Sequence, residues 1–459
     1  MFRLWDGWIA EDRDGLKRFG LLALLLAISM SLSMTQNTSS VSACAFSVVP
    51  NAYEGPKDRS LYLEAMDLAA YNMIAPGDSY FGLPRLEEGP RGDRSSVEPV
   101  IPPILLKSIS WIESSISQTT RSNAATGINP TLISFDCGHG IMQVTSGMTV
   151  PLGDGNAISP QQVLVATHYA YNIARGAAIL ADKWNTAPEG RPVAGTDTDA
   201  DPDIVENWYF AVWSYNGFSG PGASRSNHPM DPIYGNWPRT DYSCGPSSDG
   251  YGHNRGNYPY QELVWGCANH PPEVDGDQLW EPFELTLPDL SKTKWSGPLA
   301  ISNWVAPYSN MDIPTPHPYH EDDTPQPPAS EAYEVLGLPQ LSVGETNVSF
   351  ALDDAGNAAP VTIKIGNTGT GVLAWGATTS SSWLRLSPPA GVALANDVDC
   401  GGDCTRDAEL TLTLNPSALS SGSRRASVRV YSPQTNESQT IVVTIAAIGK
   451  TGVPGVVRH

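Results

Sequence analysis

The chain has 459 residues, of which 41 % are hydrophobic and only 16 % charged, which excludes global disorder and allows two or three domains. Its 27 Lys and Arg stand against 48 Asp and Glu, a net charge of −21. No basic excess exists to replace the counterions of a nucleic acid or to dock on an anionic membrane surface, whereas a Trp-rich chain of low charge suits a neutral polymer such as a glycan.

Lys17 and Arg18 precede an apolar run over 19–34, about 16 residues and short of the ~20 that span a bilayer. A polar stretch and the small residues Val41-Ser42-Ala43 follow. This layout predicts a signal peptide over 1–44, cleaved near Ala43 or Ala45, or else a retained N-terminal anchor. Val41-Ser42-Ala43-Cys44 also offers a lipidation site. The expected location is secreted or envelope-associated, outside the cytoplasm. The six cysteines agree with export: Cys400 and Cys404 can pin a short loop, and Cys244 and Cys267 bracket an irregular stretch. Their spacing gives no zinc ligand set, and neither a metal nor another cofactor is expected.

A single helix is predicted over 60–75, within an N-terminal extension at 45–97. From 98 to 270 the pattern is mainly helical, with a Gly-rich, Cys-containing end. A helix starts after Pro102-Pro103, where proline is tolerated, and Leu105, Ile109, Ile112 and Ile116 form one buried stripe. Glu113 falls about 70° from the centre of that stripe. It is either an ordinary exposed glutamate or a half-desolvated carboxyl beside Trp111 and Ser114. Burial penalises the charged form, and a carboxyl that keeps its proton is what glycosidic cleavage needs.

Cys137-Gly-His-Gly-Ile-Met-Gln-Val144 is a tight Gly-rich turn in which Gln143 offers both a donor and an acceptor to a sugar. His139 either lines a cleft or faces solvent from the turn. Ala166, Ala170, Ile173, Ala177, Leu180 and Trp184 predict a second core helix. The aspartates over 197–203 read as a solvated acidic turn, lacking the Gly and terminal Glu of a calcium loop. Ile204, Trp208, Ala211 and Tyr215 predict a third helix, with Gly217 as its stop and Tyr215 and Asn216 at its end.

Taken in order, Trp-Ile-Glu113-Ser114, Gly-His-Gly-Ile-Met-Gln143, Asn172-Ile-Ala-Arg-Gly176-Ala and Ala-Val-Trp-Ser-Tyr215-Asn216-Gly217 resemble the catalytic domain of the soluble lytic transglycosylases, in the lysozyme-like superfamily. The resemblance covers about 98–225. It implies a mostly α-helical lysozyme-like domain acting on peptidoglycan strands. Glu113 would be the single acid/base and Ser114 would help orient it. Gln143, Tyr215 and Asn216 would line the groove, with His139 where the family usually has a small residue. No second acid is placed as firmly: Asp136 and Asp154 read as loop residues, and Glu206 lies in a helix. The implied product carries a 1,6-anhydro ring; a hydrolytic muramidase and an inactive wall-binding protein are the alternatives.

A Pro-rich linker is predicted over 271–334. From 335 to 448 the runs Val361-Thr-Ile-Lys-Ile365, Glu409-Leu-Thr-Leu-Thr-Leu414, Ala426-Ser-Val-Arg-Val-Tyr431 and Thr440-Ile-Val-Val-Thr-Ile445 predict an antiparallel β-sandwich, with a tail at 449–459. The stretch from Gly366 through Trp375, then Ser382-Trp383 to Gly391, resembles the BACON family of immunoglobulin-like modules, which are often attached to secreted glycan-active enzymes. Trp375 and Trp383 are either glycan contacts or core. The expected partners are peptidoglycan strands, bound by a monomer, with no nucleic acid.

Overall fold

Short hairpins alternate with helices through the first part of the chain. The computed structural model describes residues 44–446 apart from 90–93, 121–125, 150–157, 191–200, 218–225, 247–249, 289, 291–326, 402–403 and 420–423, with backbone alone at 187–190. The predicted leader at 1–44, except for Cys44, and the tail at 449–459 lie outside those residues. β1 (Asn51–Glu54) precedes α1 (Ser60–Ala70), which is shorter than the helix expected at 60–75. β2 (Leu86–Glu88) and β3 (Ser95–Val97) pair as an antiparallel ribbon. α2 (Pro103–Ser114) starts on a proline, whose missing N–H has no partner at a helix start anyway. Leu105, Ile109 and Ile112 form the expected buried stripe, but α2 ends at Ser115 (φ 55), so Ile116 fills the core from beyond the helix. β4 (Gly127–Pro130) pairs antiparallel with β1.

The core stripe read from Ala166 to Trp184 belongs to two helices. A Ser159–Gln162 capping box opens α3 (Pro160–Thr167), and extended backbone at His168 separates it from α4 (Tyr169–Gly190). The stripe from Ile204 to Tyr215 is divided too, into a 3-10 turn at Val205–Trp208 and α5 (Tyr209–Tyr215). α6 (Tyr260–Asn269) packs against α2. β5 (Glu273–Val274) and β6 (Asp277–Gln278) form a small hairpin.

Two expectations are corrected here. The fold is not mostly α-helical: among the described residues seven helices accompany fifteen strands, at 27 % helix and 25 % strand. α2 ends at a left-handed Ser115 and α3 at an extended His168, and the periodic stripes continue through turns that keep the same side chains buried. Nor does a linker begin at 271. The β5–β6 hairpin is folded, and Trp280, Leu285 and Leu290 are buried in the core that the helices share.

α7 (Ala332–Leu336) leads into the sandwich. Its strands are β7 (Leu341–Val343), β8 (Asn347–Ala351), β9 (Val361–Asn367), β10 (Val372–Thr379), β11 (Leu384–Ser387), β12 (Ala390–Leu394), β13 (Ala408–Leu414), β14 (Arg425–Tyr431) and β15 (Ser438–Ala446). All four alternating runs form strands: β9, β13, β14 and β15. The sheet orders are β12-β10-β14-β15-β8 and β11-β13-β9-β7. Only β15 and β8 pair in parallel, so the sandwich is mixed rather than antiparallel throughout.

The sandwich is docked rather than tethered. Along β10, Leu373, Trp375 and Ala377 point into the space between the two sheets. Val372 and Ala374, with Ala390, Val392 and Leu394 of β12, point the other way and join the helical core. Burying a Val or Leu side chain stabilises by ~1.5–3 kcal/mol, so Val372, Val392 and Leu394 alone contribute roughly 5–9 kcal/mol across this seam. Polar contacts add to it: the Tyr169 hydroxyl donates to Val335 O at 2.8 Å and the Tyr53 hydroxyl donates to Asp399 O.

Three disulfides form: Cys244–Cys267 and Cys400–Cys404, the two local pairs, and Cys44–Cys137 across 93 residues. In a disulfide, Cys44 has no thiol left to carry a lipid. Among the described residues no helix is long and apolar enough to cross a membrane.

Candidate active site

The last turn of α2 presents Glu113 to a loop and two further helices. The loop is the turn around Cys137–Val144, closed by single bridges from His139 to Ile133 and to Val144. Two glycines let it lie close to its supports. Gly140 has φ +67, and a Cβ there would sit 2.6 Å from both the Asn172 and the Gln118 side chains. A Cβ on Gly176 of α4 would sit 2.6 Å from Met142. Asn172, fully buried on α4, fixes the loop with its whole amide. Its Oδ1 accepts from Met142 N at 2.9 Å, and its Nδ2 donates to His139 O at 2.7 Å and to Val165 O at 2.9 Å. Gln118 Oε1 accepts from Ile141 N at 3.2 Å.

Glu113 is half-buried. Tyr260, the first residue of α6, donates its hydroxyl to Glu113 Oε1 at 2.6 Å. Burial drives the carboxyl up from 4.5 to about 7, and the charge of Asp136 pushes the same way. The Tyr260 hydrogen bond and the Arg255 guanidinium pull against it without cancelling it. Arg255 is itself tied to the end of α2, donating to Ile112 O at 2.6 Å. Tyr215 stands close enough for the Glu113 charge to help hold its phenol protonated, and its hydroxyl donates to Met142 O at 2.8 Å. One carboxyl, two protonated phenols and the Gln143 loop therefore meet at one place.

The other expected residues divide. The Gln143 backbone is left-handed at φ 46, and its Nε2 donates to Gly140 O at 2.8 Å, which keeps the half-buried amide in the turn. Ser114 is buried and donates to Ser110 O at 3.1 Å and Ile141 O at 2.8 Å. It joins the end of α2, next to Glu113, to the loop. Asn216 is exposed at the C-cap of α5.

His139 matches neither sequence reading, since it is fully buried and faces no solvent. Its Nδ1 lies 2.7 Å from Cys137 O, which can only accept, so Nδ1 carries the proton and Nε2 is a buried acceptor with no partner. Burial lowers its basicity, which keeps the ring neutral.

Asp136 is exposed and accepts from Ser134 Oγ at 2.5 Å. Glu206 is buried at the 3-10 turn and accepts from Thr286 N at 3.2 Å. Asp154 and the aspartates at 197 and 199 lie outside the described residues.

No family model matches the chain, and no curated protein matches it. Among solved structures it is similar to the ASH / PapD-like domain of human CEP192 (PapD-like domain 7), at 12 % identity and a TM-score of 0.18, over 24 % of this chain and 84 % of that one.

Tyr260 and Arg255 are absent from the sequence reading. They lie in the Cys-containing extension, and nothing local to Asn257-Tyr-Pro-Tyr260 marks a contact with a helix 147 positions away in the chain. Asn172 stands in a motif that was legible, but its role as the clamp on the loop was not.

Proposed function

We propose that this chain is an exported peptidoglycan lytic transglycosylase, cleaving the β-1,4 bond between N-acetylmuramic acid and N-acetylglucosamine. The observation that carries the reading is the state of Glu113: a half-buried carboxyl held by Tyr260 and protonated to about pH 7. Glycosidic oxygens are poor leaving groups until protonated, so a proton donor that survives at neutral pH is the first requirement.

Because Oε1 accepts from Tyr260, the acidic proton of Glu113 resides on Oε2. Glu113 passes it to the bridging oxygen as the bond from that oxygen to the muramyl C1 breaks. The substrate's own 2-acetamido oxygen stabilises the electron-poor C1, so no second carboxylate is required. The Glu113 carboxylate then takes the proton of the C6 hydroxyl as the C6 oxygen closes on C1. The product is a 1,6-anhydro ring, and Glu113 is protonated again. Tyr260, whose own ionisation lies well above the usual phenol range, remains a donor throughout. The sandwich is read as a structural body, because both indoles proposed as sugar contacts, Trp375 and Trp383, are in its core.

The test is digestion of purified peptidoglycan followed by mass spectrometry of the soluble products. Anhydro ends, one water lighter than reducing ends, are expected. Reducing ends alone would make the enzyme a hydrolase, and no soluble product from well-folded protein would refute the assignment.

A further inference from the structure

A cavity lies beside α2, on the side away from Glu113. At about 100° per residue, Trp111 and Ser115 are neighbours on a face roughly 200° around the helix from Glu113. They line a pocket of about 360 Å³ with Glu54, Lys57, Thr120 and Thr126, at the lower end of the ~300–1,000 Å³ of small-molecule sites.

The pocket has a built floor. Glu54, 4 % exposed, is the last residue of β1. Its Oε2 accepts from Gln118 N at 3.1 Å and from Thr119 N and Oγ1 at 2.9 Å, and Arg59 pairs with Oε1. The Glu54 carboxylate is thus fully engaged. Above that floor, the Trp111 indole N–H, the Ser115 and Thr120 hydroxyls and the Lys57 ammonium have no hydrogen-bond or ion-pair partner among the described residues.

The charges select a ligand class. Arg59 cancels Glu54, which leaves Lys57 as the one free cation among the described residues of the lining. Ser115 caps the C-terminal end of α2, where helix carbonyls carry partial negative charge. A phosphate or nucleotide would bring two or more negative charges to one lysine and an opposing dipole, whereas one carboxylate is matched by that lysine. A sugar with a single carboxylate would meet an indole for its apolar face, hydroxyl groups for its own hydroxyls and one ammonium for its acid.

We propose that this pocket is a second glycan-binding site, distinct from the Glu113 site, for one carboxylate-bearing sugar unit. The choice of a wall glycan as its source rests on the functional reading above. The preference for a monoanionic sugar rests on the pocket alone. Two sites on opposite faces of α2 would let the protein hold one strand while cutting another.

The experiment is calorimetric titration of the full chain in its Glu113→Gln form. The probes are soluble uncross-linked strands of alternating N-acetylglucosamine and N-acetylmuramic acid, and chitotetraose as a neutral control. Strands should bind at two sites per chain. Lys57→Gln, at an exposed position that tolerates the change, should weaken the second site at least tenfold toward strands and leave chitotetraose unaffected. Trp111→Ala should remove the second site for both probes. Unchanged two-site binding in Lys57→Gln and Trp111→Ala would overturn the proposal, and so would a single site in the parent. Whether the unsubstituted enzyme releases anhydro products is read separately, so strand binding without cleavage would sink the enzyme assignment and leave the pocket standing.

Discussion

Replacing Glu113 by Gln tests the unusual carboxyl directly, through stability as well as activity. Gln keeps the shape and still accepts from Tyr260 at Oε1. Below pH 4.5 Glu113 is protonated in both the folded and the unfolded chain, and its ionisation has no effect on stability. Between 4.5 and 7 the unfolded chain releases the proton while the folded protein retains it, so stability falls as pH rises. Above 7 both states are ionised and the full penalty persists. At about 1.4 kcal/mol per pH unit, the interval is worth up to about 3 kcal/mol. The difference in unfolding free energy, variant minus parent, should therefore grow by as much as about 3 kcal/mol between pH 4.5 and 7 and then level off. Urea denaturation at four or five pH values measures it. Activity should fall by at least ~10²-fold, the lower end of what a positioned general acid contributes. In the parent it should decline above about pH 7 as the donor ionises. A stability difference that stays flat with pH would show that Glu113 ionises normally, and the proton-donor argument would fail with it.

Tyr260→Phe removes a hydrogen bond that favours the ionised form of Glu113, so the alkaline limb of the pH–rate profile should move to higher pH; an unmoved limb would mean the phenol does not act on the acid. Asn172→Ala takes their Asn172 partner from buried Met142 N and Val165 O, at ~1–3 kcal/mol each, while His139 O keeps its bond from Val144 N, and should lower the unfolding free energy by roughly 2–5 kcal/mol in urea titrations, with wall lysis reduced even where the protein remains folded.

What was legible in the sequence follows from the range over which each signal acts. β13 alternates Glu409-Leu-Thr-Leu-Thr-Leu414 because one face is wet, and such a pattern is local. The burial of Leu105, Ile109 and Ile112 is local as well. Helix ends were read less well: Ile116 continues the apolar period past a left-handed Ser115, so periodicity reports burial there and not helix. The dock between the sandwich and the rest did leave a trace. Val372-Leu-Ala-Trp-Gly-Ala377 and Ala390-Gly-Val-Ala-Leu394 are apolar at every position, which is how a strand covered on both faces reads. What no local pattern carries is the meeting of residues far apart. Glu113 and Tyr260 come together because α6 returns to α2, and Phe46 and the Cys44–Cys137 bridge, distant in sequence, lie at the turn that holds buried His139.

The same long-range contacts explain why a sandwich with no sugar-facing Trp belongs to this protein. β12 packs on β1, the Tyr53 hydroxyl reaches Asp399 O, and Gly127 of β4 lies against Cys404. Asp399 and the Cys400–Cys404 disulfide therefore brace the β1–β4 pair from outside. β1 ends at Glu54, whose carboxylate holds the backbone of Gln118 and Thr119. Gln118 in turn accepts from Ile141 N, next to Met142 and Gln143. A turn held at positive φ by several single hydrogen bonds needs rigid supports, because small displacements at a reacting centre weaken catalysis steeply. The sandwich supplies one such support and α4, through Asn172, supplies the other, with the Gln143 loop between them.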